Sequence, residues 1–260
     1  MALLAKRKFV EAHLSLKSDD SVESDLLINH IFEPEFHQDI YKKPIDDALG
    51  TTGAFCLSDL SKIKRLPNRG LQPKYIDDEN DLDSLIYIGM FDKFGDEKTS
   101  IDTSNVCALK SVSVRSGYVD FGGARSVSAD FYKKNSKRAG VEKNDLLINS
   151  TGDGTIGRVA VYNSRHPAIV DGHITIVRFK DDILPWYVAA YLLSQKGQRQ
   201  IYRYINGSSG QVEIYPQDIE RLWIPGNDPK KIKEIGLKFK SAVEKYDQFQ
   251  KELSIALSLI

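Results

Sequence analysis

The sequence predicts an α+β protein in which a globular domain of short strands and a few helices is followed by a long C-terminal coiled-coil helix. Two observations predict this class. Short runs of β-branched and other apolar residues, such as 174–179, are separated by polar turns, and few segments have a helical period. Residues 228–260 instead carry apolar residues at alternating spacings of three and four. We therefore divide the chain into an N-terminal extension without an assigned role (1–29), the globular domain (30–227) and a spacer helix (228–260).

Composition and charge exclude several classes of protein. The chain has 36 basic and 36 acidic residues, a balance that argues against a non-specific polyanion-coating protein but not against a locally basic face. Cys56 and Cys107 match no metal-ligand spacing, and we interpret the histidines as ordinary rather than as metal ligands. The N-terminus does not resemble a signal peptide, and no run approaches the roughly 18 apolar residues of a membrane span. The sequence thus predicts a cytoplasmic protein with no metal, no cofactor and no membrane partner.

The first part of the globular domain predicts a helix that ends at Gly50, followed by a basic loop. Between Asp59 and Tyr75 this loop carries five cations and no further acid. The cations are Lys62, Lys64, Arg65, Arg69 and Lys74. Asn68, Gln72 and Tyr75 add amide and aromatic groups that can contact phosphates or base edges. The segment is therefore either a DNA-binding loop or a solvated surface loop.

Short elements are predicted in the middle of the chain. Strands are expected at 85–91 and 106–114, and a strand with a turn at 117–123. Residues 130–138 predict a short basic helix that leads to Gly140.

The segment 144–163 carries the most specific pattern in the chain, the spacing G-x-G-x-x-G at Gly152, Gly154 and Gly157. In a dinucleotide-binding fold a helix follows this turn, and its N-terminus holds the pyrophosphate. Here the turn is followed by Arg-Val-Ala-Val-Tyr, which favours a strand. We therefore interpret the segment as a β-hairpin with a polar tip rather than as a nucleotide site.

The rest of the globular domain continues the same mixture of elements. Strands are predicted at 168–170 and 173–179, and a helix over 185–204 with Pro185 in its first turn. A second polar loop at 206–211 precedes two strand-like segments. These segments are 212–215 and 222–225.

The C-terminal segment has an unbroken heptad seam. Its members are Ile232, Ile235, Phe239, Ala242, Tyr246, Phe249, Leu253, Ala256 and Ile260. A helix from Pro229 to the end is about 48 Å long, and its apolar stripe calls for a partner helix. The alternative is that the helix folds back onto its own domain. Gly236 is expected to weaken the helix by about 1 kcal/mol near its end.

Four stretches of the chain resemble the specificity subunit of a type I restriction–modification enzyme. The stretches are 57–65 with 70–75, 117–120 with 131–134, 144–161, and 210–225 followed by the helix. The resemblance covers about residues 30–260, and its most specific parts are the third and fourth stretches.

The resemblance implies a non-catalytic subunit that recognises DNA. A target recognition domain would enter the major groove, and the long helix would act as a spacer that docks the DNA adenine methyltransferase and restriction/translocase subunits, in which methylation and cleavage reside. A full-length family member has two recognition domains and two helices, whereas this chain has one of each. A homodimer through antiparallel terminal helices would restore that arrangement and bind a symmetric, interrupted target.

The residues expected to contact double-stranded DNA lie in the polar loops. They are Lys64, Arg65, Arg69, Gln72, Lys74, Arg115, Arg125, Ser150, Thr151, Thr155, Arg158, Ser208, Ser209 and Gln211. The residues of the loops at 150–158 and 208–211 could equally form structural turns. The nine seam residues are expected to make the dimer interface.

Two other classes of protein stay open. One is a DNA methyltransferase or nuclease with a fused recognition domain. The chain lacks the N/D-P-P-Y/F loop that holds a flipped adenine, and a nuclease would depend on Asp81 with Asp96-Glu97-Lys98. The other is a coiled-coil interaction module, which would leave the basic loop without a function.

Overall fold

The computed structural model describes residue 36 and residues 38–76, 105–207 and 211–259. The N-terminal extension, the strand predicted at 85–91, the DNA-contact candidates Ser208 and Ser209, and the seam residue Ile260 lie outside the described residues.

The two ends of the globular domain are held together by a short sheet. Helix α1 (Asp39–Leu49) ends at Gly50, which confirms the predicted stop. Strand β1 (Phe55–Cys56) then pairs in antiparallel fashion with the last strand, β10 (Trp223–Ile224). The chain segment before the basic loop is therefore fixed to the segment that precedes the C-terminal helix.

Two four-stranded sheets form the centre of the domain. The first has the order β2 (Asn68–Arg69), β9 (Ile174–Val177), β6 (Leu146–Asn149) and β7 (Val159–Val161), with all neighbours antiparallel. Strands β6 and β7 confirm the predicted hairpin.

The second sheet is mixed. Its order is β4 (Arg125–Ser128), β3 (Asn105–Leu109), β8 (Ala168–Val170) and β5 (Gly140–Val141), and β3 and β8 are parallel. Helix α2 (Ala129–Ala139) connects β4 to β5 and confirms the predicted basic helix. The hydroxyl of Ser128 accepts the N–H of Phe131 at 3.2 Å and caps its first turn.

The side chains of β6 show how the layers are stacked, because they alternate between two cores. Leu146 and Ile148 pack with the helix α3 (Leu184–Leu193), whereas Leu147 packs with residues of the second sheet such as Val170. Helix α2 covers the other face of the second sheet through Ala139. Both faces of β6 are thus buried, which explains its continuous apolar sequence.

The single helix predicted over 185–204 is wrong, because the structure has two helices there. Helix α3 ends at Leu193, and Ser194 has an extended ψ of 162°. The hydroxyl of Ser194 accepts the N–H of Gly197 and begins helix α4 (Gln195–Arg203). Because a serine can cap a helix or lie inside one, the sequence pattern alone does not mark this break.

The strand-like segment at 212–215 forms no regular strand. Glu213 makes isolated bridges to Thr151 and Asn206. A one-turn helix α5 (Pro216–Ile219) follows and leads to β10.

The C-terminal helix α6 (Pro229–Ser258) divides into two parts. In the proximal part, residues 229–247, Ile232, Ile235 and Phe239 pack against the core that contains α3, and the ring of Phe239 lies 6.4 Å from that of Trp186. In the distal part, residues 248–259, Phe249 is 54% exposed and Leu259 is 82% exposed. The fold-back alternative therefore holds for the proximal part, whereas the described apolar side chains Phe249 and Leu259 of the distal part are mostly exposed.

Because of this division, only some of the described residues of the predicted dimer seam are exposed. The side chains of Ile232, Ile235, Phe239 and Tyr246 are partly buried against their own domain, whereas Ala242, Phe249, Leu253 and Ala256 are exposed. No helix within the described residues is long and apolar enough to cross a membrane.

Candidate nucleic-acid interface

Five polar segments meet where β3 and β8 end and β9 begins, and we call them the loop cluster. They are the loop 69–76, the turn 110–113, the loop 150–158, the turn 171–173 and the segment 211–215. Backbone hydrogen bonds join four of them around the turn between β8 and β9, and the carboxylate of Asp171 bonds the turn 110–113. The loop cluster brings together parts of the chain that are distant in sequence, on top of two buried sheets.

Asp171 is the buried centre of this arrangement. One carboxylate oxygen accepts the backbone N–H of His173 at 2.9 Å, and the other accepts that of Ser111 at 3.3 Å. Burial raises the pKa of Asp171, and the hydrogen bond from His173 opposes this effect. Asp171 therefore ties the turn that carries His173 to the turn that follows β3.

Gly70 lets the basic loop lie directly on this turn. Its N–H donates to the carbonyl of Ile174 at 3.0 Å. A Cβ at this position would lie 2.2 Å from the carbonyl oxygen of Val170, so no larger residue fits without displacing backbone. Gln72 and Lys74, which follow Gly70 in the same loop, are exposed.

The hairpin tip is attached to the same turn. The N–H of Ser150 donates to the carbonyl of His173 at 2.8 Å, and Thr151 Oγ1 lies 2.5 Å from His173 Nδ1. The three motif glycines have φ values between 79° and 95° and form the bend of an antiparallel hairpin. No helix follows the bend, because β7 begins at Val159. The predicted β-hairpin is therefore confirmed, and the glycine bend lacks the following helix that a dinucleotide-binding turn requires.

Arg69 fixes the fifth segment. Its guanidinium pairs with the Glu213 carboxylate, donates to the carbonyl of Ile214 at 2.8 Å and lies 5.4 Å from the centre of the Tyr215 ring. Burial opposes ionisation of Glu213, but the bond from Arg69 holds the pKa of Glu213 below its usual value. Arg69 is thus neutralised within the loop cluster and orients residues 213–215.

Arg125 is part of the framework rather than of the surface. It is 6% exposed, and its guanidinium carbon lies 4.5 Å from the centre of the Tyr75 ring. The Lys110 ammonium lies 5.9 Å from the same ring. This stacking orients Tyr75 and places Lys110 beside the basic loop.

Arg65 also has a structural position. Its Nη1 donates to the carbonyl of Lys137 at 2.8 Å, and Asn68 Nδ2 donates to that of Arg138 at 2.8 Å. These are carbonyls of the last turn of α2, which have no partner inside the helix. Arg65 and Asn68 therefore close the C-terminus of α2.

Lys64 lies away from the loop cluster. Its backbone N–H donates to the carbonyl of Arg178, whereas Arg69 is in register with Thr175. The two positions are about 10 Å apart along the direction of β9. The cations of the predicted basic loop therefore lie at two separate places on the surface.

The remaining candidates fall into two groups. Gln211 is exposed in the loop cluster, and Thr151 is partly exposed. Ser150 is fully buried with its hydroxyl 2.6 Å from that of Thr175, so it is a framework residue. Thr155, Arg158 and Arg115 hold nearby turns through bonds to Thr151, Gly154 and Asp120 respectively.

Sequence reasoning missed His173 and Lys110 as site residues. His173 is exposed in the loop cluster, and Lys110 is partly exposed. The signal for His173 was its position in a short Asp-Gly-His turn between two buried strands. Within the described residues no group of three or more His, Cys, Asp or Glu side chains could hold a metal ion.

Comparison with known proteins gives distant structural likeness. No family model matches the chain, and no curated protein matches it. One similar structure is a chain of the type I R-M system, from a study of complex assembly and conformational transition. The two sequences are 11% identical, the matched region covers 62% of this chain and 38% of the other, and the TM-score is 0.37. A second similar structure is the type IIG restriction endonuclease BpuSI, which is 10% identical to this chain with a TM-score of 0.48. The matched region covers 84% of this chain and 30% of the endonuclease. This chain thus spans about a third of the length of either protein, and both come from restriction systems.

Proposed function

We propose that the chain is a sequence-specific DNA recognition subunit of a restriction–modification system. The observation that carries the proposal is the loop cluster, which presents the side chains of Gln72, Lys74, His173 and Gln211 on a cross-linked framework. Amide, ammonium and imidazole groups are the types that bond base edges and phosphates. The resemblance of four stretches to a type I specificity subunit supports the same function.

Base recognition would come from the exposed amides, and positioning from the cations. A side-chain amide can make a bidentate pair with adenine in the major groove, which gives about 1–3 kcal/mol of discrimination. Lys74 and Lys110 would contact phosphates and set the register. The framework residues Arg69, Arg125 and Asp171 would hold these groups in place before DNA binds.

The distal part of α6 would pair with a second copy of the chain. Its exposed Phe249, Leu253 and Leu257 recur every four residues on one face of the helix and form an apolar stripe that water does not favour. Antiparallel pairing of two distal parts would place two loop clusters on a two-fold symmetric target. The adjoining helix surface would dock the methyltransferase and restriction subunits.

The DNA proposal is tested by selecting duplexes from a random-sequence pool with the full chain and measuring affinities by fluorescence anisotropy. We expect enrichment of a short motif. The Q72A variant should lose about 5-fold to 150-fold in affinity for that motif and discriminate less at one base pair. K74A should weaken all sequences alike and reduce the salt slope by about 0.9.

The matched control is Lys233→Ala, an exposed cation in the first part of α6. It should leave affinity and base preference unchanged. If the wild-type chain enriches no motif, or if Q72A and K233A behave alike, the loop cluster is not the recognition surface.

The isolated chain should transfer no methyl group. Incubation with S-adenosylmethionine carrying a labelled methyl group and the selected duplex should leave the DNA unlabelled, because catalysis is assigned to a partner subunit. Label on the DNA would instead identify a methyltransferase.

A further inference from the structure

The exposed face of α2 carries a basic patch that the loop cluster does not include. Lys133, Lys134, Lys137 and Arg138 are all exposed, and no acidic residue occurs between Asp130 and Glu142. Exposed Lys64 joins them, because its neighbour Arg65 bonds the last turn of α2. We call these five cations the α2 patch.

The α2 patch is not neutralised within the described part of the chain. None of its five side chains forms an ion pair there, whereas Arg69, Arg115 and Arg178 are each paired with a carboxylate. The whole chain has as many acidic as basic residues, so this local excess does not follow from composition. The helix dipole favours cations in the last turn, which accounts for Lys137 and Arg138 but not for Lys133 and Lys134.

The α2 patch adjoins the loop cluster. The carbonyl of Arg138 is bonded by Asn68, and the next residue, Arg69, belongs to the loop cluster. After α2 the chain enters β5, in which Gly140 is in register with Ile169, two residues before Asp171. A rod-like ligand that occupies the loop cluster therefore passes within reach of the end of α2.

We infer that the α2 patch binds the sugar-phosphate backbone of duplex DNA that flanks the base pairs contacted by the loop cluster. The inference rests on the proposed function. Side chains three and four apart on a helix face lie about 5–6 Å from each other, so the four helical cations form a continuous row of flexible donors. Such contacts neutralise phosphates and carry no base preference.

The test compares two duplexes that carry the selected motif, one with minimal flanks and one extended by about ten base pairs on each side, the length of roughly one DNA turn. The variant is K133Q/K134Q/K137Q/R138Q. It keeps every backbone carbonyl that Arg65 and Asn68 bond, so the helix end stays closed. The matched control is K230Q/K231Q/K233Q/K245Q, which removes four exposed cations from α6.

Wild type and control should bind the extended duplex more tightly than the short one. The α2 variant should lose this gain, bind the extended duplex about 10-fold to 100-fold more weakly, and show a salt slope lower by up to about 3.6, while the selected base pairs stay the same. An unchanged salt slope and length dependence, or an equal loss in the control, would overturn the inference.

The two proposals fail in different ways. If wild type prefers its motif but the α2 variant behaves like wild type, only the α2 patch is refuted. If wild type binds duplexes without preference and the α2 variant loses that binding, the loop cluster is refuted and the α2 patch stands. If wild type binds no duplex, both are refuted.

Discussion

The proximal and distal parts of α6 share one heptad pattern but lie in different surroundings. Phe239 in the proximal part packs near Trp186, whereas Phe249 in the distal part is 54% exposed. Tyr246 ends the covered part, with its ring 4.1 Å from that of Tyr118. A heptad seam therefore specifies that a helix will be covered, but not which surface covers it.

The difference arises from the neighbour that each part meets. The proximal part lies along α3, and Gly236 allows the two helices to approach closely. In the distal part, by contrast, the side chains of Phe249, Leu253 and Leu257 are 39–56% exposed.

The largest expected effect is a difference in unfolding free energy between alanine variants of two phenylalanines in this seam. F239A should lower the free energy of unfolding by about 3 kcal/mol, because it removes a ring from the core. F249A should change the unfolding free energy of the monomer by less than about 0.5 kcal/mol. Urea denaturation at low protein concentration measures both.

The same pair of variants tests the dimer. F249A should weaken self-association in analytical ultracentrifugation, whereas F239A should not do so under conditions in which it is folded. A wild-type chain that stays monomeric at micromolar concentration would contradict the distal interface.

A second prediction concerns Asp247, at the end of the proximal part. Burial raises the pKa of Asp247 to about 6. The Asn163 amide, which donates to Asp247 at 3.4 Å, opposes this rise, and the nearby negative charge of Glu244 adds to it. Because the folded pKa exceeds the usual 3.8, the protonated form favours folding, and this contribution is lost as the pH rises from about 4 through about 6. D247N should therefore be more stable than wild type at pH 7, by about 2 kcal/mol.

The stability difference should shrink as the pH falls and disappear at about pH 3, where Asp247 is protonated in both the folded and the unfolded state. The matched control, E252Q, alters an exposed carboxylate of the distal part and should keep the pH dependence of the wild type. A difference between D247N and wild type that is constant from pH 4 to pH 7 would show that the Asp247 carboxylate is not buried against Asn163.

The smallest expected effect is at Gly236. A Cβ there would lie 2.7 Å from Cγ2 of Ile183 and 3.0 Å from its carbonyl oxygen. G236A should lower stability by about 1 kcal/mol, since overpacking outweighs the gain in helix propensity. The control Ala242→Gly measures the effect of helix propensity alone at an exposed position of α6. A G236A variant that is more stable than the wild type would show that α6 and α3 are not in close contact.

Elements with a clear local signal could be predicted from the sequence. Gly50, the glycine-rich bend and the basic period of α2 each depend on residues that are neighbours in the chain. The break at Ser194 could not be predicted, because serine is also tolerated inside helices. The pairing of β3 with β8 joins segments about 60 residues apart, and no local pattern carries that information.

The candidate site was predicted in part for the same reason. Gln72, Lys74 and Gln211 are exposed, and their contact with DNA stays a prediction. Arg65 and Arg125 carry the residue type expected of DNA-binding groups, but each has its contact within the protein, with α2 and Tyr75 respectively. Whether a cation contacts other residues of the protein or faces solvent depends on its tertiary neighbours, which the sequence alone does not specify.

The framework under the loop cluster has a consequence for how such a protein diversifies. Backbone amides, Gly70 and the buried Asp171 fix the positions of the loops, whereas Gln72, Lys74 and Gln211 point away from them at the surface. Under the proposed function, exchanging a few solvent-facing side chains would change the target preference with no penalty to the packed interior. The same framework would then be a starting scaffold for engineering new sequence specificities.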